Sequence, residues 1–541
     1  MKFDRSARRK VAPGVFISLL LLATADAAGQ ELPKPTLANS VLVSIEHSVQ
    51  DSAEVDYIKA NFQFGLYAWL SFSLTAYTVT LDWHAPLAGA DAGIQAFKDQ
   101  VNALVAAAKA KSVRLHIVVV SGMGRGVSAY REAKTEDIRN AQWFNDNKLC
   151  SDPQVLDPGA MDVYIWGTFS RYARKMQANL EAKARAALAF LKQRMDEEPD
   201  VLVAVSGWGE TELSYHRIDH SRSLQDYFCD FSPFAVMEFR DWLQHAGMYD
   251  GATGKYAGQG YSGGGAKYQG AAGLALFNAD FGTAFASWDL RYYNWSLADD
   301  YDAVPEDYVN PDPNLIPYAS YVHGGMMPAS GPQYVAGGFD PPRTMQPGDS
   351  FYDLWNDFRE TMVRNHVHDL ARWVQEAGIP ADRWYTHQIP ADYLFGTQPS
   401  LPPASMNARY HSSASPLWTA DALPFVSTGA TIYDVKFPTW FARTTQHIYP
   451  VISGMGTNWA VMEFDPELYP PGMGVAESPA DFILEQYLRP YSYRAHLINF
   501  WRWIDAPEHL IKGMNKEVAL RNFVQRVRDK AQSVEDRKSV V

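Results

Sequence analysis

Eight short runs rich in β-branched and aromatic residues recur along the 541-residue chain, separated by longer amphipathic segments. Several runs are continuously apolar rather than alternating, which is typical of strands covered on both faces. Eight such strands with helices between them predict an α/β fold, a (β/α)8 (TIM) barrel. The predicted strands are Val41–Ile45, Tyr77–Leu81, Arg114–Val120, Val201–Ser206, Trp384–His387, Thr431–Asp434, Trp459–Met462 and His496–Trp501.

The connection after the fourth strand is much longer than the others. It contains a Gly-rich insertion at about 251–350, which is either a flexible loop or one wall of an active site. We expect the barrel to span residues 28–512, followed by a C-terminal helix and tail over 513–541. The predicted helices are Ala92–Ala110, Met161–Met195, Phe234–His245, Tyr352–Ala377 and Pro479–Tyr491.

Residues 1–27 have the pattern of a secretory signal peptide: basic residues, a short apolar core and an Ala25-Asp-Ala27 cleavage pattern. No later run approaches the ~20 apolar residues that a transmembrane helix needs. The expected location is therefore the periplasm or the outside of the cell. Such a compartment permits a disulfide, and we expect Cys150 and Cys229 to form one.

Composition narrows the classes of partner. The formal charge is −13 and no basic stripe is present, which argues against nucleic acid and anionic membranes. Aromatic residues make up 13% of the chain, a share compatible with stacking on sugar rings. The sequence contains no phosphate-cradling loop, nucleotide-binding fingerprint or zinc-ligand spacing, so no cofactor and no metal is implied.

In a (β/α)8 barrel the reaction centre lies at the carboxyl ends of the strands. The residues just past the predicted strands include carboxylates, a histidine, an amide and several aromatic side chains. Cleaving a glycosidic bond requires one carboxyl group that donates a proton and a second that attacks the sugar or activates water. The candidate site residues are Trp208, Glu210, Glu212, His387, Gln388, Tyr433, Glu463, Trp501 and Trp503.

This pattern resembles the large clan of retaining (β/α)8 glycoside hydrolases, the GH-A type, which carry an acid/base Glu after strand four and a nucleophile Glu after strand seven. The resemblance implies that Glu210 is the acid/base and Glu463 the nucleophile, with Tyr433 hydrogen-bonded to the nucleophile. One departure concerns the sugar: most of the clan has Asn before the acid/base, where this chain has Gly209. That Asn commonly contacts the sugar 2-hydroxyl.

Three shorter segments resemble bacterial β-galactosidases of the thermophile type: Phe239–Leu243, Phe281–Trp288 and Trp355–Arg359. A competing resemblance links 205–215 to a segment of the inverting β-amylases, which would make Glu212 the acid.

Within the segment SGWGE, Gly207 and Gly209 are predicted to let the backbone leave the strand, and Trp208 to raise the pKa of a neighbouring carboxyl group. His387 and Gln388 would hold sugar hydroxyls. Trp501, Trp503 or both would form the floor beneath the reacting sugar. The sequence therefore predicts an exported glycoside hydrolase, with a non-catalytic carbohydrate-binding barrel as the alternative.

Overall fold

Strands and helices alternate along the part of the chain that the computed structural model describes. This part comprises residues 40–62, 70–80, 90–120, 142–143, 145, 170, 172–207, 215–217, 226–228, 230–246, 268–291, 335–344, 346, 348–387, 426–433, 448–454, 458–465, 477–504 and 510–538. Its strands are β1 (Val41–Glu46), β2 (Leu70–Thr80), β3 (Arg114–Val120), β4 (Leu202–Gly207), β5 (Tyr215–Arg217), β6 (Asp226–Phe228), β7 (Trp384–Thr386), β8 (Thr428–Tyr433), β9 (Trp459–Asp465) and β10 (Leu497–Phe500). Its helices are α1 (Ser52–Phe62), α2 (Ala90–Lys111), α3 (Arg174–Glu197), α4 (Pro233–Leu243), α5 (Gly270–Phe281), α6 (Ser350–Glu376), α7 (Ile448–Gly454), α8 (Ala480–Ser492) and α9 (Asn515–Lys538).

Eight of the strands form one sheet in the order β7-β4-β3-β2-β1-β10-β9-β8, while β5 and β6 pair antiparallel with each other. Pairings β1 with β10, β10 with β9, β3 with β4 and β4 with β7 are parallel. A parallel bridge joins Tyr385 in β7 to Ser427, the residue before β8. The chain therefore has an α/β fold with parallel strand pairing. The predicted alternation of parallel strands and helices is confirmed.

By its contacts the chain divides into two compact units. The terminal unit comprises 1–47, 51–74 and 431–541, and the central unit comprises 48–50 and 75–430. Structural statements about either unit concern only its described residues.

The core of the terminal unit is built on β9 and β10, in which every residue is buried. Aromatic rings continue this core: Phe464 lies 5.5 Å from Tyr487 of α8, and Phe500 lies 5.8 Å from Phe523 of α9 between ring centroids. Helices therefore cover these strands, which explains why both runs lack the polar alternation of a solvent-facing sheet.

Helix starts in the central unit follow ordinary capping chemistry. Asp349 precedes α6 and accepts hydrogen bonds from the backbone N–H groups of Phe351 and Tyr352. Ser232 caps α4 in the same way, and Pro233 occupies the first helical position, where a missing N–H costs nothing. Helix α3 begins at Arg174, not at 161 as predicted, because Ala173 has an extended backbone conformation.

The three segments that resemble β-galactosidases build an aromatic cluster in the central unit. Phe239 lies 4.8 Å from Trp355 and 5.0 Å from Phe358, between ring centroids. Gly282 ends α5 with φ 65°, a left-handed conformation that favours glycine. These segments therefore contribute packing and helix termination. The members of the cluster that belong to the three segments are Phe239, Phe281, Phe285, Trp288, Trp355 and Phe358, and its other members are Phe277, Phe339 and Phe351.

Several predictions concern residues outside the described part: the signal peptide 1–27, both cysteines Cys150 and Cys229, and the Gly-rich stretch 251–267. These predictions, and the predicted domain boundaries, stay predictions. Among the described helices, none combines the length and the apolar character needed to cross a membrane.

Candidate functional site

Of the two predicted catalytic carboxylates, Glu463 lies within the described residues. It is the fifth residue of β9, and only 3% of its surface is exposed. Removing an ionised carboxylate from water is costly unless partners or a function compensate for it. Glu463 is therefore held in place by the fold rather than displayed on a solvated loop.

The pairing between β9 and β10 changes register beside Glu463. The pair Ile498–Val461 is followed by the pair Phe500–Phe464, so β9 carries one residue more than β10 over this step. Such a β-bulge bends the strand and re-aims side chains, and bulges are frequent next to active sites. The predicted nucleophile thus lies at the irregular step of its strand.

Two residues further on, Asp465 forms a buried ion pair with Lys516 in the first turn of α9. The distance between Lys516 Nζ and Asp465 Oδ1 is 2.9 Å, and each side chain is 2% exposed. This pair ties the carboxyl end of β9 to the last helix. Neither residue was predicted as part of the site. The predicted strand ended at Met462, whereas β9 continues to Asp465.

Trp501 immediately follows β10, and 7% of the residue is exposed. The guanidinium carbon of Arg502 lies 4.8 Å from the centroid of the Trp501 ring. Arg502 has φ 61°, a conformation that non-glycine residues adopt at a cost of about 1–3 kcal/mol. The chain therefore turns sharply here and leaves Trp501 at the carboxyl end of the strand.

Trp503, by contrast, is fully buried. Its Nε1–H donates to Glu54 Oε2 over 2.9 Å, and its ring packs 5.8 Å from Phe62 and 6.0 Å from Tyr57 between centroids. These contacts favour a packing role. Of the two tryptophans predicted as a sugar floor, Trp501 remains the candidate.

Glu46 and His47, at the carboxyl end of β1, are polar residues that the sequence analysis overlooked. Each is 5% exposed. Glu46 Oε2 accepts a hydrogen bond from Arg502 N–H at 3.2 Å, and His47 Nε2 lies 3.4 Å from Asp51 Oδ2. The signal was present: both residues directly follow the first apolar run.

In the central unit, His387 follows β7 and is 4% exposed. A second buried histidine among the described residues, His116 of β3, was not predicted as a site residue; its Nε2 lies 2.9 Å from Ser206 Oγ. Burial, reinforced by the charge of His387, lowers the pKa of His116 to about 3. His116 is therefore a neutral hydrogen-bonding group over the physiological range.

Gly207 is the last residue of β4 and is paired with Thr386. A Cβ there would stand 3.0 Å from Cζ2 of Trp384, so glycine lets the Trp384 ring lie close to the backbone. The residues directly after Gly207 lie outside the described part, so the prediction that Gly207 and Gly209 let the backbone leave the strand stays a prediction.

The remaining candidates lie wholly or partly outside the described residues. Tyr433 ends β8, but only its backbone belongs to the described part. In the part of the chain that the structure describes, no three His, Cys, Asp or Glu side chains gather as metal ligands would. The candidates outside are Trp208, Glu210, Glu212 and Gln388.

No protein-family profile and no curated protein sequence matches the chain. Among solved structures, the chain is similar to a catalytic mutant of Gan42B, a GH42 β-galactosidase from G. stearothermophilus, with a TM-score of 0.51 and 10% identity. The similarity covers 93% of this chain and 58% of that enzyme. The likeness shows a shared fold: the predicted resemblance to (β/α)8 glycoside hydrolases is confirmed at that level.

Two further solved structures are similar. Another structure of Gan42B has a TM-score of 0.49 and 11% identity, again covering 93% of this chain and 58% of the enzyme. The catalytic domain of the β-amylase from Paenibacillus polymyxa has a TM-score of 0.48 and 8% identity, covering 90% of this chain and 98% of that domain. The chain thus spans well under two thirds of the β-galactosidase and nearly the whole β-amylase domain.

Proposed function

We propose that the chain is an exported glycoside hydrolase that cleaves a β-galactoside-like bond in an oligo- or polysaccharide with retention of configuration. The observation that carries the proposal is Glu463, a carboxylate buried at a β-bulge in the seventh strand of the large sheet, counted along the chain. The fold shared with a GH42 β-galactosidase supports the reaction class.

The proposed reaction has two steps. A Glu463 carboxylate oxygen attacks the anomeric carbon, and the bond from that carbon to the leaving oxygen breaks. The leaving oxygen keeps the bonding electron pair and takes a proton from Glu210. In the second step Glu210 removes a proton from water, whose oxygen displaces Glu463 and releases the sugar.

The other candidates would serve this sugar. Trp501 would present its ring to the apolar C–H face of the sugar, while His387 and Gln388 would bind hydroxyl groups. Tyr433 would donate to Glu463.

The first test replaces Glu463 with Gln and measures turnover of aryl β-galactosides and of a broader glycoside panel. Because an amide is a far poorer nucleophile than a carboxylate, we expect turnover to be abolished while the fold persists. Glu485→Gln is the matched control, since Glu485 is an exposed carboxylate of α8 in the same unit. Full activity of Glu463→Gln would refute the assignment. Saccharide binding by the wild type without product release would favour a carbohydrate-binding barrel.

The second test assigns the acid and the stereochemical course. Retention predicts ~5–5.5 Å between the carboxyl groups of Glu210 and Glu463, whereas inversion needs ~6.5–9.5 Å. We expect NMR of the first-formed product to show the substrate's anomer, and Glu210→Gln to lose activity on substrates with poor leaving groups. Inversion, with loss confined to Glu212→Gln, would instead favour a β-amylase-like mechanism.

Export is the remaining part of the proposal and depends on residues 1–27. We expect the protein in the periplasm or medium to begin after Ala27, as N-terminal sequencing would reveal. An intact N-terminus on the active protein would contradict it.

A further inference from the structure

We propose that Asn499 is a positioning residue for Glu463, and that it acts by holding the β-bulge of β9 in the shape that aims the carboxylate. The inference rests on the proposed function, because it assigns Asn499 a part in the same reaction. Asn499 lies on β10 within the step where β9 has its extra residue.

The contact that carries the inference is a side-chain hydrogen bond. Asn499 Nδ2 donates to the main-chain carbonyl of Met462 over 2.6 Å. In a regular parallel ladder, carbonyls accept from main-chain N–H groups of the neighbouring strand. A bulge disrupts that ladder locally, and here a side-chain amide binds the carbonyl at the disrupted step.

This carbonyl has a direct geometric link to Glu463. The carbonyl of Met462 and the N–H of Glu463 belong to one planar peptide group. Fixing the carbonyl therefore fixes the orientation of the backbone at Glu463. Productive geometry must be held to within about 0.5 Å and 10–20°, so a small rotation of this peptide is enough to misplace the carboxylate.

Burial makes the contact hard to replace. Asn499 is 0% exposed, and so is its register partner Ser44 on β1. Water has no ready access to such a position, so removing the Asn499 amide takes a hydrogen bond from the Met462 carbonyl without replacing it. The bulge then relaxes toward another backbone conformation, and Glu463 moves with it.

The test compares Asn499→Leu and Asn499→Asp with Asn515→Ala. Leu keeps the approximate size and removes the donor, and ionised Asp keeps the shape and cannot donate. The control, Asn515, also donates its amide to a main-chain carbonyl, that of Ser478 at 2.9 Å, in the same unit. Each variant is assayed for kcat and KM on an aryl β-galactoside, and for the rate at which a dinitrophenyl 2-deoxy-2-fluoro-β-galactoside labels the protein.

We expect both Asn499 variants to lose about 10²-fold in kcat and in labelling rate, the scale of a displacement of about 1 Å, with KM little changed. Asn515→Ala should keep wild-type values in both assays. A labelling rate unchanged in the folded Asn499 variants would overturn the inference, as would failure of both to fold, since Asn499 would then serve stability alone. A wild type that is neither labelled nor active would instead refute the proposed hydrolase itself.

Discussion

The buried ion pair between Asp465 and Lys516 makes a strong prediction about stability. The change is Lys516→Met, which keeps an unbranched side chain of similar length and removes the charge. Because both partners are 2% exposed, the variant leaves the Asp465 carboxylate buried without its cation. We expect a large loss of stability from this single substitution.

The magnitude follows from the distance. At 2.9 Å, two unit charges attract by about 6 kcal/mol at an effective dielectric constant of 20. In the intact pair, the cost of desolvating the two groups offsets most of that attraction. When only Lys516 is replaced, the attraction is lost while the cost of burying the Asp465 carboxylate remains. Breaking a buried pair in this way costs about 3–5 kcal/mol.

The assay is a double-mutant cycle read by thermal and denaturant unfolding. If the whole chain unfolds together, an unfolding entropy of about 2.1 cal/mol/K per residue converts this loss to a Tm decrease of about 3–4 °C. The double variant Asp465→Leu/Lys516→Met should recover most of the loss, since apolar replacements of buried pairs are often neutral.

Lys192→Met is the control for the cycle. Lys192 pairs with Asp196 on the surface of α3, where Asp196 is 64% exposed, and an exposed pair contributes only about 0–1 kcal/mol. The reasoning is refuted if Lys516→Met costs no more than Lys192→Met, or if the double variant is as unstable as the single one.

Two further predictions concern the central unit. Gly207→Ala should cost about 1–3 kcal/mol of unfolding free energy, because its Cβ would press on the Trp384 ring at 3.0 Å. The control is Gly454→Ala in the terminal unit, where an added Cβ meets open space; it should not destabilise the protein in the same denaturant titration, and equal effects would contradict the packing argument. His116 has its pKa lowered from 6.5 to about 3, so the unfolded chain binds the extra proton and stability falls as pH drops from 6.5 toward 3. His116→Gln should flatten this dependence in unfolding titrations against pH, and an unchanged slope would exclude His116 as its source.

The aromatic segments that resemble β-galactosidases illustrate how a sequence likeness can report on packing. Phe239, Trp355 and Phe358 lie together in the central unit, and Gly282 terminates a helix. In this chain these segments therefore contribute to packing and to helix termination.

The sequence by itself predicted the eight strands of the large sheet in their order along the chain, but not β5, β6, α1, α5 or α7. In apolar runs such as β9 and β10, exposing either face of the strand to water is unfavourable. Local composition was therefore enough to predict buried parallel strands. The same reasoning placed Glu463 near the end of a strand. It did not identify the helix caps Asp349 and Ser232, since capping depends on where a helix begins.

Only the tertiary structure decided which polar groups meet. The sequence separations between Asp465 and Lys516, and between Asn499 and Met462, carry no periodic signal, because these contacts depend on how strands and a helix are arranged in three dimensions. The bulge beside Glu463 is equally invisible in sequence, since register is set by the partner strand. Local composition predicts burial; pairing between distant segments determines geometry.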